Sequence, residues 1–377
     1  MKINENDLRN KIINSLKSQG FTINPHLKPK TNEKDTLKRV HKQKRVEQLK
    51  FHKDFLIENM GEVKKYSISG REIEPKKIDL KLIEVKPDTF FSKLFFWWNL
   101  IWWSIPYERS IGRQMRFILW DDYHNAPFGL FSLQSPPLRS SVRDNFLGLD
   151  SKNRDYWINQ SLYAQRIGSL PPYNELLGGK MVALALTSNE VRNSYAKKYE
   201  NKKTILRKQT LPNRLLFITT TSAYGKSSVY ERIKYKNETV SQFIGFTAGS
   251  GTFQLSEELY RACLKYLEQN NINTERGYGT GPSRKMKLIA TAFRYLGIPE
   301  YSYHNIRRGY YLFSNVKNLQ GVIQNGEKPI WYDRPFIELG NFWKERWCIP
   351  RSYRIDSWRN FDASKFFRKT EQVIKCL

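Results

Sequence analysis

The sequence predicts an α+β protein in which an N-terminal basic helical region precedes a mixed β-sheet domain with flanking helices. Two observations favour this class. Leu8, Ile12 and Leu16 recur at helical spacing near the start of the chain. The apolar runs RQMRFILW (113–120) and FGLFSLQ (128–134) flank a turn rich in Asp, Asn and Pro, which is typical of a β-hairpin.

The length and composition predict a packed protein with a large core. The chain has 377 residues, of which 40% are hydrophobic and 14% are aromatic. We expect three regions: a helical basic region over 1–110, a mixed α/β core over 111–322, and a Trp/Arg-rich extension over 323–377.

A long basic helix is predicted over about 32–60. It carries Lys38, Arg39, Lys42 and Arg45 with few acidic neighbours. Such a run is typical either of a solvated helix face or of a surface that follows a phosphate backbone.

The most apolar segment is Phe90–Pro106, which contains four tryptophans. Its uncharged part is too short to span a bilayer comfortably, so a membrane partner is not favoured. We expect a core helix or a surface covered by a partner. An interfacial membrane helix is the alternative.

The middle of the chain predicts a strand at 161–169, a helix at 175–195 and a strand that begins at Leu215. After a break, Ser227 would begin a helix with a hydroxyl cap. The N–H groups and cationic side chains there would form a phosphate site. An ordinary capped helix is the alternative.

The next part of the chain predicts short strands at 243–246 and 252–254 and helices at 256–269 and after Pro282. The glycine-rich turn 277–282 precedes Arg284 and Lys285, which is compatible with a phosphate contact or with a simple tight turn. The tail at 331–358 shows little periodicity.

The charge predicts a polyanionic partner. Lys and Arg number 64 against 36 Asp and Glu, which gives a net charge of +28. Nucleic acid, with DNA favoured over RNA, is the first choice, and an anionic membrane is the second. The candidate contacts are Lys38, Arg39, Lys42, Arg45, Arg113, Arg116, Arg143, Lys226, Ser227, Ser228, Arg232, Arg284, Lys285, Arg307 and Arg308.

Two residues are candidates for catalysis. Asp144 follows Arg143 after the hairpin and would need a second carboxylate or Mg²⁺; the alternative is a structural ion pair. His304 precedes Arg307 and Arg308 and could act as a general base, although a packing role or a nucleic-acid contact fits its neighbours better.

The sequence predicts no resident metal or cofactor. Cys263, Cys348 and Cys376 lack metal-ligand spacing, and the phosphate-binding loop of nucleotide hydrolases is missing. The widely spaced cysteines and the polar N-terminus predict a reducing, cytoplasmic setting. Whether the chain is an enzyme stays open.

Several blocks resemble the DruA family, a component of the Druantia anti-phage defence systems of bacteria. These blocks are GRQMRF (112–117), SVRD (141–144), PPYNELLGGK (171–180), TTTSAYGKSSVYERI (219–233), GFTAGSGTF (245–253) and GTGPSRK (279–285). The resemblance implies a bacterial protein of defence or of a mobile element. Two departures are Lys226, where Arg is more usual, and 248–253, where bulkier aromatic and His residues are expected.

The order of elements also resembles the GNAT acyltransferases and the Mom type of DNA-modifying protein. In those enzymes a glycine loop before a helix holds the coenzyme A pyrophosphate. Here the loop Asn174–Lys180 has a different spacing and carries Glu175. This comparison is an analogy of fold and does not settle function.

Three functions remain open at this point. The first is nucleic-acid binding in anti-phage defence or a related mobile element. The second is a nucleic-acid-modifying enzyme or a metal-dependent, transposase- or nuclease-like enzyme. The third is a scaffold whose segments Phe90–Pro106 and Asn341–Trp358 dock a helicase-like partner.

Overall fold

Most of the chain is described by the computed structural model, which covers residues 3–23, 27–31, 33–204, 208–210, 212–249, 251–275, 284–298 and 304–377. The strands are β1 (Phe21–Thr22), β2 (Lys28–Pro29), β3 (Leu80–Glu84), β4 (Gln114–Asp121), β5 (Ala126–Gln134), β6 (Ser161–Ser169), β7 (Phe217–Thr221), β8 (Lys234–Tyr235), β9 (Glu238–Thr239), β10 (Ser241–Phe246) and β11 (Gly309–Ser314). The helices are α1 (Glu5–Ser18), α2 (Lys34–Phe51), α3 (Lys53–Lys65), α4 (Phe90–Ile101), α5 (Ser141–Leu147), α6 (Arg154–Ile158), α7 (Gly178–Ala185), α8 (Asn189–Tyr199), α9 (Glu257–Gln269), α10 (Arg284–Tyr295), α11 (Leu319–Asn325), α12 (Phe336–Trp343), α13 (Ile349–Arg354) and α14 (Ala363–Lys375). The class is α+β, as the sequence predicted.

The central sheet of the described chain has seven strands in the order β10-β11-β7-β6-β5-β4-β3. The predicted hairpin is confirmed as β4 and β5, which pair antiparallel. Strands β6 and β7 are parallel, and α7 and α8 lie in the crossover between them, as a parallel pair requires. The last strand, β11, lies between β7 and β10, which both precede it in sequence.

The two faces of the sheet are covered by different helices. Leu162, Ile218 and Phe313 belong to one cluster, which also contains residues of α7, α8 and α12. Phe217 and Leu312, which alternate with them along β7 and β11, belong to a cluster with residues of α5 and α11 on the opposite face.

The other half of that opposite face is covered by α3, α4 and α14. Ile118 of β4 packs in a cluster with Trp97 of α4 and Phe367 of α14. The rings of Trp97 and Phe367 stack at 5.2 Å. The apolar segment 90–106 is therefore mainly a core helix, as predicted. None of the helices in the described residues combines the length and the hydrophobicity that a membrane span requires.

The hydrophobic clusters connect the three predicted regions. Ile73, Leu133 and Trp358 share one cluster, although they belong to the regions 1–110, 111–322 and 323–377. A second cluster joins α1 and α2 to α9 and α10 through residues such as Ile12 and Leu267. The regions thus pack together through shared cores.

The tryptophans proposed for partner docking lie inside the protein. Trp97, Trp98, Trp343 and Trp358 are each at most 1% exposed. The docking hypothesis for Phe90–Pro106 and Asn341–Trp358 is wrong for these four side chains, because their surface is already buried within the chain.

Four predictions of secondary structure were wrong. No helix begins at Ser227, where the chain forms turns, and 252–254 is not a strand. The helix expected at 175–195 is divided into α7 and α8 by a turn at 186–188. The helix expected at about 32–60 is divided at His52 into α2 and α3. The tail, for which the sequence showed little periodicity, contains α12, a π-helical turn (Lys344–Cys348), α13 and α14.

Candidate nucleic-acid interface

A row of alternating cationic and aromatic side chains lies along the edge strand β10. Lys226 Nζ lies 4.5 Å from the ring centroid of Phe243. The centroids of Phe243 and Phe246 are 5.1 Å apart, and the Arg307 guanidinium lies 5.0 Å from the Phe246 ring. Lys226 and Arg307 are exposed, whereas both rings are half-buried. We call these four residues the edge row.

A β-bulge in β10 allows the two rings to meet. Phe243 and Phe246 are three residues apart and would point to opposite faces of a regular strand. The register with β11 shifts between Phe243 and Gly245. Gly245 has a φ of +141°, a conformation that favours glycine. The bulge thus places Phe246 beside Phe243.

The backbone that carries Arg307 is fixed on both sides. The N–H of Arg308 donates to Thr247 Oγ1 at 3.2 Å, and the N–H of Thr247 donates to the carbonyl of Arg308 at 2.9 Å. Gly309 donates to the carbonyl of Gly225 at 2.6 Å. Arg307 is therefore presented from a hydrogen-bonded segment.

Helix α2 carries a basic stripe of Lys38, His41, Lys42 and Arg45. At 100° per residue, these positions fall within about a 100° arc of the helix. Lys38 and Lys42 are exposed, Arg45 is half-buried, and His41 is 1% exposed. Lys38 is paired with Asp35 at 3.0 Å. The stripe leads from solvent to the interior.

The stripe and the edge row meet at Arg308. Its Nη2 atom lies 3.5 Å from His41 Nε2. Because Arg307 and Arg308 are adjacent, one short segment connects the edge row to α2. Six of the predicted contacts thus belong to one basic region: Lys38, Lys42, Arg45, Lys226, Arg307 and Arg308.

Arg45 and Arg166 also belong to the interior end of this region. Arg45 Nη2 donates to the carbonyl of Ile101 at 3.2 Å. Arg166 Nε, on β6, donates to Asn99 Oδ1 at 2.7 Å, and its Nη2 donates to the carbonyl of Pro106 at 2.6 Å. Burial lowers the pKa of Arg166 to about 10.

His41 is neutral in this setting. Burial, followed by the positive charge of Arg308, lowers its pKa to about 3. The contact with Arg308 assigns the acceptor role to Nε2, so the proton belongs on Nδ1. His41 therefore adds a buried N–H donor beside the arginines without adding charge.

Two predicted contacts, Arg113 and Arg143, have structural roles instead. The Arg113 guanidinium donates to the carbonyls of Ile158 and Ser161 at 3.3 and 3.2 Å. Arg143 is 0% exposed, so the prediction that it contacts nucleic acid is wrong. Its guanidinium binds Asp144 and nearby carbonyl groups.

Asp144 is held by two arginines. Its Oδ1 accepts from Arg143 Nη2 at 2.6 Å, and its Oδ2 lies 3.1 Å from Arg154 Nε. Oδ2 also accepts from the N–H of Ser140. Because these donors take both oxygens, the geometry fits the structural ion pair. Among the described residues, no group of His, Cys, Asp and Glu could hold a metal ion.

His304 is buried and packed. It is 3% exposed, its Nδ1 accepts from the N–H of Ile306 at 3.1 Å, and its ring lies 5.1 Å from that of Phe253. A Cβ atom at Gly251 would lie 3.1 Å from its Nε2. These contacts fit the packing role that the sequence favoured.

Further candidates lie in the turns at 226–232, on strand β4 and in helix α10. Ser228 and Arg232 are exposed in the turns at 226–232, and the N–H of Ser227 donates to Tyr311 Oη at 2.8 Å. The phosphate site expected at a helix beginning with Ser227 is therefore wrong, since no helix begins there. The guanidinium of Arg116 lies 5.9 Å from the Phe95 ring.

The start of α10 is only partly described. Arg284 donates from Nε and Nη2 to the carbonyl of Thr274, at 3.1 and 2.6 Å. Lys285 is paired with Glu257 at 3.1 Å. The glycine-rich turn at 277–282 lies outside the described residues.

The beginning of α7 is covered by indole rings. Trp343 Nε1 donates to the carbonyl of Leu177 at 3.1 Å, and Lys180 Nζ lies 4.7 Å from the Trp347 ring. A Cβ atom at Gly178 would lie 2.7 Å from the carbonyl of Tyr173. These contacts occupy the loop where the GNAT analogy would place a pyrophosphate.

Sequence reasoning missed four residues of the basic region: His41, Arg166, Phe243 and Phe246. A glycine inside a strand pattern is a known signal for a bulge, and Gly245 provided it. The i,i+4 spacing of His41 and Arg45 also indicated a shared helix face. No local signal connected Arg166 to α2.

Comparisons with known proteins agree with the sequence blocks identified above. The family model described as "Druantia protein DruA" matches residues 31–325. The Druantia protein DruA of Escherichia coli (strain UMEA 4076-1) is 30% identical over 374 residues, which cover 97% of this chain and 92% of that protein. No solved structure matches the chain. The chain therefore belongs to the DruA family.

Proposed function

We propose that this protein binds nucleic acid, with DNA preferred over RNA, as part of a Druantia-type anti-phage defence system. The setting follows from family membership, since the curated relative carries the name of a Druantia protein. The observation that carries the binding proposal is the edge row, Lys226–Phe243–Phe246–Arg307.

The composition of the edge row suits a polynucleotide. Exposed Lys and Arg neutralise backbone phosphates and release counterions, and aromatic rings at the same surface stack on unpaired bases. The edge row offers both within one short stretch of an edge strand. The net charge of +28 supplies the long-range attraction.

Helix α2 extends this surface. Arg308 links the edge row to His41, and Lys42 follows His41 on the exposed side of the same helix. Among the described residues, no ion pair is recorded for Arg39 or Lys42. These cations are thus available to phosphate groups on a strand that passes the edge row.

The test measures binding of labelled single-stranded and double-stranded DNA between about 50 and 200 mM salt. We expect the logarithm of the affinity to fall steeply and linearly with the logarithm of the salt concentration. Lys226→Ala and Arg307→Ala should each weaken binding several-fold and reduce the slope by about 0.9 for duplex DNA. RNA of the same sequence should compete less well.

Matched controls are available at the opposite side of the protein. Lys81 lies on the other edge strand, β3, and is an exposed lysine paired with a carboxylate, as Lys226 is. Arg359 lies 4.2 Å from the Trp358 ring, as Arg307 lies over Phe246. Lys81→Ala and Arg359→Ala should leave binding unchanged. Equal losses in all four variants, or a slope near zero, would contradict the proposal.

A further inference from the structure

The interior end of the basic region contains several buried hydrogen-bond donors that have no acceptor. Among the described residues, Arg45 Nε, Arg308 Nε, His41 Nδ1 and Asn99 Nδ2 have no hydrogen-bond partner. His41 is 1% exposed and Asn99 is 2% exposed. Buried polar groups are normally paired, so these atoms require an explanation.

These donors lie in one part of the fold. His41 and Arg45 are one turn apart on α2, and Arg308 contacts His41. Arg45 binds the carbonyl of Ile101 at the end of α4, the helix that carries Asn99. Asn99 in turn accepts from Arg166. The four side chains thus lie around α2 and the C-terminal end of α4, and the charges of Arg308, Arg166 and Arg45 all act on His41.

The cluster carries positive charge without a paired carboxylate. In the described part of the chain, no ion pair within 4.0 Å is recorded for Arg45, Arg166 or Arg308. The carboxylate that acts most on Arg166 is Glu108, which is exposed. Arg308 repels Arg166, and burial disfavours the charged forms of Arg45 and Arg166, so a shared anion would stabilise the cluster.

The hydroxyl groups nearby fit the same ligand. Tyr224 Oη donates to Ser104 Oγ at 3.2 Å, and its ring centroid lies 6.2 Å from that of His41. Arg45, Arg308 and Tyr224 are half-buried, which leaves the cluster accessible from solvent. Guanidinium forks and neutral N–H donors are the groups that hold phosphate oxygens.

We propose that Arg45, Arg166 and Arg308, together with His41 and Asn99, form a phosphate-binding site between α2 and the sheet. The site is the interior end of the basic region, which meets the edge row at Arg308, and its test with inorganic phosphate does not require binding of nucleic acid. The phosphate could belong to the end or backbone of a polynucleotide or to a free nucleotide, since both present the same oxygens.

The experiment uses the full chain and inorganic phosphate as the probe. Phosphate should raise the melting temperature on the order of 2 °C above potassium chloride of equal ionic strength, at about ten times its dissociation constant. Arg308→Met should abolish this increase. In phosphate-free buffer the variant should melt no lower than the natural chain, because a charge that repels the buried Arg166 is removed.

The neighbouring residue provides the control. Arg307→Met should keep the full phosphate-dependent increase while it weakens DNA binding, so the two proposals fail or succeed separately. If phosphate raises the melting temperature equally in Arg307→Met and Arg308→Met, even if only at high phosphate concentration, the result would mean an adventitious ion only. No increase in the natural chain would also overturn the proposal.

Two further arms identify the source of the phosphate. A preference for 5′-phosphorylated over 5′-hydroxyl oligonucleotides that disappears in Arg308→Met assigns the site to a polynucleotide end. Competition of ATP with inorganic phosphate in the natural chain, lost in Arg308→Met, assigns it to a free nucleotide. If both effects are absent but phosphate still raises the melting temperature in a way that depends on Arg308, the site is assigned to the internucleotide backbone or to inorganic phosphate itself.

Discussion

Arg308 Nη2 lies 3.5 Å from His41 Nε2, although 267 residues separate them in the chain. This contact joins the N-terminal helix α2 to the segment that leads into β11, the strand that lies between β7 and β10 in the sheet. One contact between the N-terminal helices and the sheet domain is therefore made by two nitrogen-bearing side chains, of which His41 can gain a proton in acid.

Acid should destabilise the protein through His41. Its pKa is about 3 in the folded chain and 6.5 ordinarily, so folding favours the neutral ring. This stability is fully present above pH 6.5 and is lost as the pH falls toward 3, by about 1.4 kcal/mol per pH unit. The melting temperature of His41→Gln should therefore decline less between pH 6.5 and 4.5.

His52→Gln is the control for this measurement. Burial also lowers the pKa of His52, but that side chain is less enclosed and lies away from the arginines. Its variant should keep a pH profile close to that of the natural chain. If the melting temperatures of His41→Gln and of the natural chain fall in parallel with pH, His41 is not the source of the loss of stability in acid.

Phe246→Ala should weaken binding of single-stranded DNA more than binding of duplex DNA. Stacking of a base on an aromatic ring contributes about 1–3 kcal/mol, and paired bases are not available for it. Because no charge is removed, the salt slope should not change. Anisotropy titrations with both substrates test this, with Phe361→Ala as a control at a ring outside the edge row. Equal effects on both substrates would exclude stacking.

Asp144→Ala should reduce the free energy of unfolding by about 3–5 kcal/mol. The substitution leaves the fully buried Arg143 without its carboxylate. Urea unfolding measures the loss, and Asp155→Ala, on the next helix, is the comparison. DNA binding per folded molecule should be preserved. Mg²⁺-dependent nicking that disappears in a stably folded Asp144→Ala chain would instead support the strand-processing alternative.

Two glycine substitutions should have opposite effects. A Cβ atom at Gly70 would lie 1.9 Å from the carbonyl oxygen of Trp358, so Gly70→Ala should displace the segment before α14 and lower the melting temperature. At Gly61, within α3, nothing lies within 4 Å. Gly61→Ala should stabilise the helix by about 1 kcal/mol. Thermal unfolding of both variants tests this prediction. Melting temperatures that shift in the same direction in the two variants would contradict it.

The sequence predicted the elements whose signals are local. The hairpin β4–β5 follows from two apolar runs that flank a turn. Helix α4 follows from one nearly continuous apolar segment. The helix expected at Ser227 failed for a non-local reason: the N–H of Ser227 donates to the hydroxyl of Tyr311, 84 residues later. The local sequence contains a helix-cap signal at Ser227 but does not show that a distant tyrosine hydroxyl binds its N–H group.

The candidate site was predicted only in part, for a similar reason. Lys226, Arg307 and Arg308 were chosen for their charge, which is visible in sequence. Their relation to Phe243, Phe246 and His41 depends on a bulge and on a contact between distant segments. Arg143 has the same charge but is buried, because its guanidinium has Asp144 and backbone carbonyls as partners.

The position of β11 determines when the edge row can exist. In the sheet of the described residues, β10 pairs only with β11, which is made after it. On a ribosome, where folding proceeds as the chain emerges, a nascent chain that ends before residue 307 lacks Arg307 and has β10 without its neighbour in the sheet. The four side chains of the edge row can therefore come together only after the chain has been made as far as β11.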